Sequence, residues 1–321
     1  MPGLEMPISM VTEVLSKMWQ VDGVEANRHA FARSSQLNII LHNGLYASHG
    51  KALQAFNDAI GFAKKYPCRI VVLCPEKARG DGVHLTGKLF SQCYIGEDVR
   101  EQCCCEALIL GYTTDDAVFL KDQVSLWLES DLPTYYWVNE ISPGAIKKHY
   151  LSLAALCNAV IYDSAVEPEG FKEIHWSGHE WVSDLAYMRL LPVRQSLGQF
   201  LSAYKEEVLV EGLKKVVVEY SGNYCGEGEA LLNWFSVAIE KCAKLAEVEG
   251  EVLFELKESK GEGFDLRSKW TYGGDKFFEW QYRYESRISE VKAKLSQELV
   301  NYPSQLRKMS PEEALAAAIF Y

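Results

Sequence analysis

Short apolar runs that alternate with helical patterns place the strongest constraint on the fold of this chain. From Leu37 onward, several of these runs are followed by an amphipathic helical pattern. The runs occupy residues 37–42, 68–74, 89–95, 105–112, 133–138 and 158–164. This alternation is typical of a mostly parallel sheet that helices cover on both faces. We therefore expect an α/β fold with a Rossmann-like, open sheet.

The second half of the chain has the pattern of an α+β domain. Its strand-like segments are 214–220, 251–258, 263–272 and 276–286, and a helical pattern runs from about 229 to 246. The Gly-Gly pair in the sequence YGGD separates the last two segments, which is a hairpin signal. Aromatic residues at 278, 280, 282 and 284 alternate with polar residues between them. This alternation predicts an antiparallel sheet with one polar face.

These shifts in pattern suggest three parts. Residues 1–36 are expected to form an N-terminal helix and an extended segment, and residues 37–175 the Rossmann-like α/β domain. Residues 176–321 are expected to form the α+β domain with the antiparallel sheet and a C-terminal helix. The terminal helix is predicted because Ser310 is a good N-cap and is followed by Pro311 and two acidic residues.

Charge and composition exclude several classes of partner. The formal net charge is −11, so the chain as a whole repels phosphate backbones and anionic membrane surfaces. No apolar run reaches the roughly 18 residues of a membrane span, and the N-terminus lacks the pattern of a secretory signal. The nine cysteines are odd in number and lie mostly within apolar runs, which favours reduced thiols in the cytoplasm. We therefore expect neither nucleic acid nor a membrane as a partner.

The motifs of common enzyme classes are missing from the sequence. The segment after the first apolar run contains Gly44 and Gly50 but lacks the G-x-G-x-x-G spacing of dinucleotide-binding domains. Walker A, H-E-x-x-H and G-x-S-x-G motifs are also missing. His175 and His179 are four residues apart, but Ser-Gly between them favours a loop and no third ligand is evident. We expect no catalytic residues, no cofactor and no metal site.

Three consecutive cysteines, Cys103, Cys104 and Cys105, are the most unusual local feature of the sequence. Adjacent cysteines bridge each other poorly, and three in a row do not easily surround one tetrahedral metal ion. One interpretation is that they are small apolar residues entering a buried strand. The alternative hypothesis is a redox-sensing thiol, which requires a low pKa and exposure to solvent.

Aromatic and charged residues are mixed in the segment 176–201 in a way that is unusual for a core helix. The residues concerned are Trp176, Trp181, Asp184, Tyr187, Arg189 and Arg194. Large aromatic side chains and arginines are enriched at the energetic centres of protein interfaces. The segment therefore predicts a partner-binding surface. The alternative is that the tryptophans belong to the core and that the charged groups form a clamp between the two domains.

Three stretches of the sequence resemble the glucose-6-phosphate dehydrogenase assembly (OpcA-like) family. Residues 184–194 (DLAYMRLLPVR) resemble the family motif D-L-x-W-x-R-L-x-P-W-R, with Tyr187 and Val193 at its aromatic positions. Residues 131–137 (DLPTYYW) resemble the family segment D-L-P-[VT]-x-x-W, and residues 158–164 (NAVIYDS) resemble the strand that follows it. The order and approximate spacing of the three stretches also agree with the family.

This resemblance implies a non-catalytic protein that binds glucose-6-phosphate dehydrogenase, promotes its active oligomer and acts as an allosteric activator in the pentose phosphate pathway. One alternative is an unconventional enzyme or binding protein for sugar phosphates or nucleotides. Its candidate residues are His42, His49, Asp163, Asp184, Arg189 and Arg194. Another alternative is a thiol switch protein that uses the three consecutive cysteines. The sequence leaves the oligomeric state and the contact surface open.

Overall fold

Two structural units make up the part of the chain that the computed structural model describes. The described residues are 1–18, 35–77, 85–95, 102–166, 170–176, 181–260 and 263–321. The first unit contains Met1–Asp163, Glu169–Asp184 and Pro311–Tyr321, and the second contains Ser164–Pro168 and Leu185–Ser310. Most of the expected extended segment before Leu37 lies outside the described residues.

The first unit is built on one eight-stranded sheet. Its strands are β1 (Leu4–Met6), β2 (Leu37–Asn43), β3 (Cys68–Glu76), β4 (Thr86–Ile95), β5 (Gln102–Thr113), β6 (Thr134–Asn139), β7 (Ala159–Tyr162) and β8 (Trp181–Asp184). They are arranged in the order β1-β4-β5-β3-β2-β6-β7-β8. The strands from β5 to β8 in this order pair in parallel, whereas β4 pairs antiparallel with β5 and with β1. The predicted Rossmann-like, mostly parallel sheet is confirmed.

Helices connect β2 to β3, β5 to β6 and β6 to β7, as the alternating sequence pattern predicts. They are α1 (Ile8–Met18), α2 (His49–Ala63), α3 (Leu120–Ser125), α4 (Pro143–Ala145) and α5 (Leu151–Ala154), with a π-helical turn at Ile146–Tyr150 and 3₁₀ turns at Thr114–Phe119 and Phe171–Glu173. Strand β2 lies at the centre and all seven of its residues are buried. Such complete burial is expected for a parallel strand that is covered on both faces.

A buried asparagine at the start of β2 shapes the loop that precedes β6. The side-chain amide of Asn38 donates to the carbonyls of Glu129 and Leu132 at 2.9 and 3.3 Å, and to the Thr134 hydroxyl at 3.1 Å. Its side-chain oxygen accepts from the Glu129 N–H at 3.1 Å. Because Asn38 is fully buried, these bonds replace the water that its amide has lost. The loop from 129 to 134 is thereby held in one shape.

The second unit contains a mixed six-stranded sheet. Its strands are β9 (Leu213–Tyr220), β10 (Leu253–Glu258), β11 (Leu266–Tyr272), β12 (Phe277–Arg283), β13 (Ile288–Lys294) and β14 (Val300–Gln305), in the order β10-β9-β11-β12-β13-β14. Its helices are α6 (Leu185–Arg189), α7 (Leu191–Leu201), α8 (Glu206–Val210) and α9 (Cys225–Leu245). The expected hairpin is present, since β11 and β12 pair antiparallel. Phe278, Trp280 and Tyr282 all face the core of this unit, as their alternation predicts.

Three features differ from the sequence-based expectations. The second sheet is not purely antiparallel, because the long helix α9 carries the chain across so that β10 pairs parallel with β9. Residues 181–184 begin a run whose period is helical from 181 to 204, but they form strand β8 because they pair with β7. The terminal helix α10 (Pro311–Phe320) belongs to the first unit, where it contacts α2 and β8, and not to the domain expected at 176–321.

None of the helices in the described ranges has the length and the apolar character of a membrane span.

Replacement of Asn38 by leucine tests the role of this side chain in shaping the loop. Asn38→Leu removes four hydrogen bonds and leaves the Glu129 N–H and two carbonyls without their partner. We expect the free energy of unfolding to fall by about 2–4 kcal/mol in urea titrations. Asn57→Ala, at an exposed position of α2, serves as the control and is expected to change it by less than about 0.5 kcal/mol. Equal effects of the two substitutions would contradict the role of Asn38 in holding the loop from 129 to 134.

Candidate functional site

The order of the parallel strands places a switch point between β2 and β6. Strands β3 and β5 extend the sheet on one side of β2, and β6, β7 and β8 extend it on the other. In open α/β sheets, ligands bind beyond the carboxyl ends of the strands at such a point. A ligand of such a sheet is therefore expected to contact the residues that follow β2 and β6.

Backbone contacts close the crevice at this switch point. The N–H of Gly44 donates to the carbonyl of Asn139 at 2.7 Å. A Cβ atom at Gly44 would lie 1.7 Å from the carbonyl oxygen of Glu140, so only glycine allows this approach. The side chain of Asn139 also donates to that of Asn43 at 2.8 Å, and Lys51 forms an ion pair with Glu140. These contacts hold the loops after β2 and β6 together at the switch point.

His42, a candidate residue of the alternative enzyme hypothesis, lies within the core and not in a cleft. Both nitrogens of its fully buried ring lie 2.6 Å from tyrosine hydroxyls, Nδ1 from Tyr136 and Nε2 from Tyr112. The Tyr112 hydroxyl in turn donates to that of Tyr150 at 2.9 Å. Tyr112 therefore accepts from Nε2–H, and Nδ1 accepts from Tyr136. The ring is a neutral imidazole with a defined tautomer.

Burial determines the acid–base behaviour of this cluster of His42 and three tyrosines. It lowers the pKa of His42 from 6.5 to about 3 and raises the pKa values of Tyr112 and Tyr136 well above their usual range. All these groups are uncharged at neutral pH, and none is poised for proton transfer there. The cluster therefore stabilises the centre of the sheet and is a poor candidate for general acid–base catalysis.

A hollow of about 330 Å³ lies beside the closed switch point, at the carboxyl ends of β2, β3 and β5. Its polar lining includes His49, Glu76 and Lys88 together with the buried Asn43. His49 is the only candidate residue of the alternative enzyme hypothesis that lines this hollow. His42 lies within β2, Asp163 follows β7, and Asp184, Arg189 and Arg194 lie on or after β8.

The segment that resembles the family divides between the two units. In the first unit, Trp176 is partly buried and packs against the core. Trp181 begins the edge strand β8 with 67% of its surface exposed, and the partly buried Asp184 ends that strand. Trp181 is thus the only one of these three residues that presents a large apolar surface to solvent.

In the second unit, the two arginines of this segment have different environments. The Nε of Arg189 donates to the nearly fully buried carboxylate of Glu227 at 2.7 Å. Sequence reasoning did not identify Glu227, because it precedes the helix predicted from about 229; the structure places it in the first turn of α9. The Arg194 guanidinium lies 3.6 Å from the ring centre of Tyr187 and donates to its carbonyl at 3.3 Å. Partial burial lowers the pKa of Arg194, and the ring face offsets part of that desolvation.

Burial affects three of the described cysteines, Cys74, Cys105 and Cys242. Cys105 is fully buried, and burial raises the pKa of Cys74 to about 11 and that of Cys242 above its usual range. The backbone of Cys103 and Cys104 belongs to β5, but their side chains lie outside the described part of the structure. His179 also lies outside it. Within the described ranges, no group of three or more His, Cys, Asp or Glu side chains is arranged to hold a metal ion.

A matched pair of glycine substitutions tests the closed switch point. Gly44→Ala forces the loop after β2 away from Glu140, and we expect it to lower the free energy of unfolding by about 3 kcal/mol or more. Gly50→Ala, in the first turn of α2 with open space around it, is expected to be neutral or to stabilise by up to about 1 kcal/mol. Both values are measured by chemical denaturation. A tolerated Gly44→Ala would show that the two loops are free to separate.

The buried histidine predicts a loss of stability in acid. The unfolded chain binds more protons than the folded chain between pH 6.5 and about 3, because folding depresses the pKa of His42. The contribution of His42 to the free energy of unfolding is therefore complete above pH 6.5. It is lost as the pH falls toward 3, by up to about 1.4 kcal/mol per pH unit. Denaturation at a series of pH values measures this slope. We expect His42→Leu to reduce the slope of stability against pH, and His49→Gln, at an exposed position, to leave that slope unchanged.

Comparison with known proteins finds one matching family domain and one distant relative. A family model described as "Glucose-6-phosphate dehydrogenase subunit N-terminal domain" matches residues 59–175. The "Putative OxPP cycle protein OpcA" of Synechocystis sp. is 22% identical over 194 residues, which are 59% of this chain and 40% of that protein. The chain therefore spans less than half the length of this relative.

Solved structures resemble the chain only weakly. The transcriptional regulator Gal80p from Kluyveromyces lactis has a TM-score of 0.43 and 9% identity, covering 97% of this chain and 86% of that chain. The aldose-aldose oxidoreductase from Caulobacter crescentus, complexed with glycerol, has a TM-score of 0.39 and 10% identity, covering 88% of each chain. At these scores the similarities carry no argument about function. The family model and the Synechocystis relative together confirm the predicted resemblance to the glucose-6-phosphate dehydrogenase assembly (OpcA-like) family.

Proposed function

We propose that this protein is a non-catalytic, cytoplasmic subunit that binds glucose-6-phosphate dehydrogenase, promotes its active oligomer and activates it allosterically. The family domain at residues 59–175 is the observation that carries this proposal. The six free cysteines of the described residues suit a reducing compartment.

The closed switch point supports a role in binding a protein over a role in catalysis. The first unit has the strand order of a dinucleotide-binding domain, yet Gly44 and Glu140 close the crevice between the loops after β2 and β6. Loops that are already held together lose little conformational entropy when a partner binds, which suits an assembly protein.

The residues of the family segment receive separate roles in this proposal. Trp181 contacts the partner, since most of its surface is exposed. Trp176 packs in the core, the Arg189–Glu227 ion pair and the Arg194–Tyr187 stack stabilise the second unit, and Asp184 ends the strand that carries Trp181.

A second candidate function is the binding of a sugar phosphate or nucleotide. The hollow at the carboxyl ends of β2, β3 and β5 favours it, because His49 and Lys88 offer donors to an anion and Glu76 offers an acceptor to hydroxyl groups. A thermal-shift screen with these metabolites separates this candidate from the first. The third hypothesis, a thiol switch, depends on Cys103 and Cys104, since burial of Cys105 disfavours its thiolate.

Addition of the purified protein to purified glucose-6-phosphate dehydrogenase from the same organism tests the main proposal. We expect co-elution of the two proteins, a larger dehydrogenase oligomer in mass photometry and a severalfold higher initial rate at limiting enzyme concentration. An equal concentration of heat-unfolded protein is the control for non-specific stabilisation. If the dehydrogenase neither binds the protein nor changes its rate or its oligomer, the proposed function is wrong.

A further inference from the structure

Two of the family-like stretches, and the strand that leads into the third, meet at one edge of the first sheet. Strands β6, β7 and β8 begin at Thr134, Ala159 and Trp181. They are parallel, so these amino ends lie at the same edge. This edge is opposite the one that carries the closed switch point and the hollow with His49. Residues that are far apart in the sequence thus form a single surface.

Asn158 joins the three strands at this edge. Its backbone N–H donates to the Thr134 carbonyl at 2.8 Å, and its carbonyl accepts from the N–H of Trp181 at 3.0 Å. Its side-chain oxygen accepts from the N–H of Thr134 at 2.8 Å. The buried Asn38 holds the adjoining loop 129–134. The edge is therefore ordered before any partner binds, which lowers the entropic cost of association.

Two adjoining hollows run along this edge and share Asn158. The first, of about 490 Å³, is lined by residues that include Ser125, Glu129, Asp131, Leu132 and Leu156. The second, of about 280 Å³, is lined by residues that include Tyr135, Trp181, Phe320 and Tyr321. Asn158 lies between the two hollows, and the pair of hollows with Asn158 is called the groove below; its two ends differ in chemistry.

The aromatic end of the groove is unusually exposed. Trp181, Phe320 and Tyr321 have 67%, 50% and 83% of their surfaces exposed. Large apolar side chains that lie together on a surface mark interaction sites, and tryptophan and tyrosine contribute most to binding energy at such sites. This end therefore fits a large apolar side chain of a partner.

The other end of the groove is acidic. The charged side chains that line it, Glu129 and Asp131, are both carboxylates. Arg69 lies 2.6 Å from Glu129 and 3.2 Å from Glu106, so the positive charge of that arginine is shared between two carboxylates. Asp131 is exposed and forms no ion pair among the described residues. A basic side chain of a partner would complete the charge balance at this end.

We propose that this groove is the docking surface for the protein partner, and that it binds a segment with a basic residue toward Asp131 and a large apolar residue against Trp181. The inference rests on the proposed function, because the partner meant here is glucose-6-phosphate dehydrogenase. It goes further in assigning the contact to the amino edge of β6, β7 and β8.

Substitutions at the two ends of the groove test this assignment in binding titrations with the purified dehydrogenase. We expect Trp181→Ala to weaken binding tenfold or more and Asp131→Lys to weaken it about tenfold, with a smaller salt dependence for Asp131→Lys. Tyr46→Ala and Asp115→Lys are matched controls at exposed positions near the opposite edge of the sheet, and each is expected to stay within twofold of wild type. Thermal unfolding of each variant verifies that it is folded.

The possible outcomes distinguish an error in the docking surface from an error in the proposed function. If the wild-type protein binds the dehydrogenase and both groove variants bind as tightly as the controls, the docking surface is wrong and the proposed function stands. If the wild-type protein does not bind the dehydrogenase, both are wrong. If sedimentation shows a dimer of this chain that Trp181→Ala dissociates, while binding to the dehydrogenase is unchanged, the groove binds a second copy and the proposal is overturned.

Discussion

The pairing of β2 with a parallel strand on each side is the constraint on which the first unit depends. Polar residues are buried along this strand, and each has a specific partner on a neighbouring element. Asn38 bonds to the loop before β6, His42 bonds to Tyr112 and Tyr136, and Asn43 bonds to Asn139. A buried polar group that loses its partner costs more than the bond itself contributes, so these contacts specify one register and one loop shape at each end of the strand.

The two edges of the first sheet differ because of these contacts. At the carboxyl edge, Gly44 lets the loops after β2 and β6 meet. At the amino edge, Asn38 and Asn158 hold an open groove with acidic and aromatic ends. The fold commonly places its ligand at the carboxyl edge, whereas the docking surface proposed for this protein lies at the amino edge.

Much of the fold could be predicted from local patterns. The predictions were wrong where the pairing of strands determined the secondary structure or the sheet. The buried strands, the hairpin after Tyr272 and the terminal helix follow from periodicity and capping residues. Residues 181–184 have no strong strand pattern and become β8 only because β7 offers them hydrogen bonds. The parallel pairing of β9 with β10 depends on the crossover helix, which local sequence cannot show. The candidate site was less predictable, since Glu227 is 38 residues from Arg189 and no motif connects them.

The sequence by itself determined the alternation of strands and helices, the lack of a phosphate-binding glycine pattern and the likeness to the OpcA-like family. These properties depend on residues that are neighbours along the chain, and their periodicity and spacing are visible without coordinates. Only the tertiary structure decided that Gly44 closes the switch point, that His42 is buried among tyrosines and that Asp131, Asn158 and Trp181 line one edge. Each of these depends on which strands lie side by side. That choice is made by the burial of the whole sheet and not by any single segment.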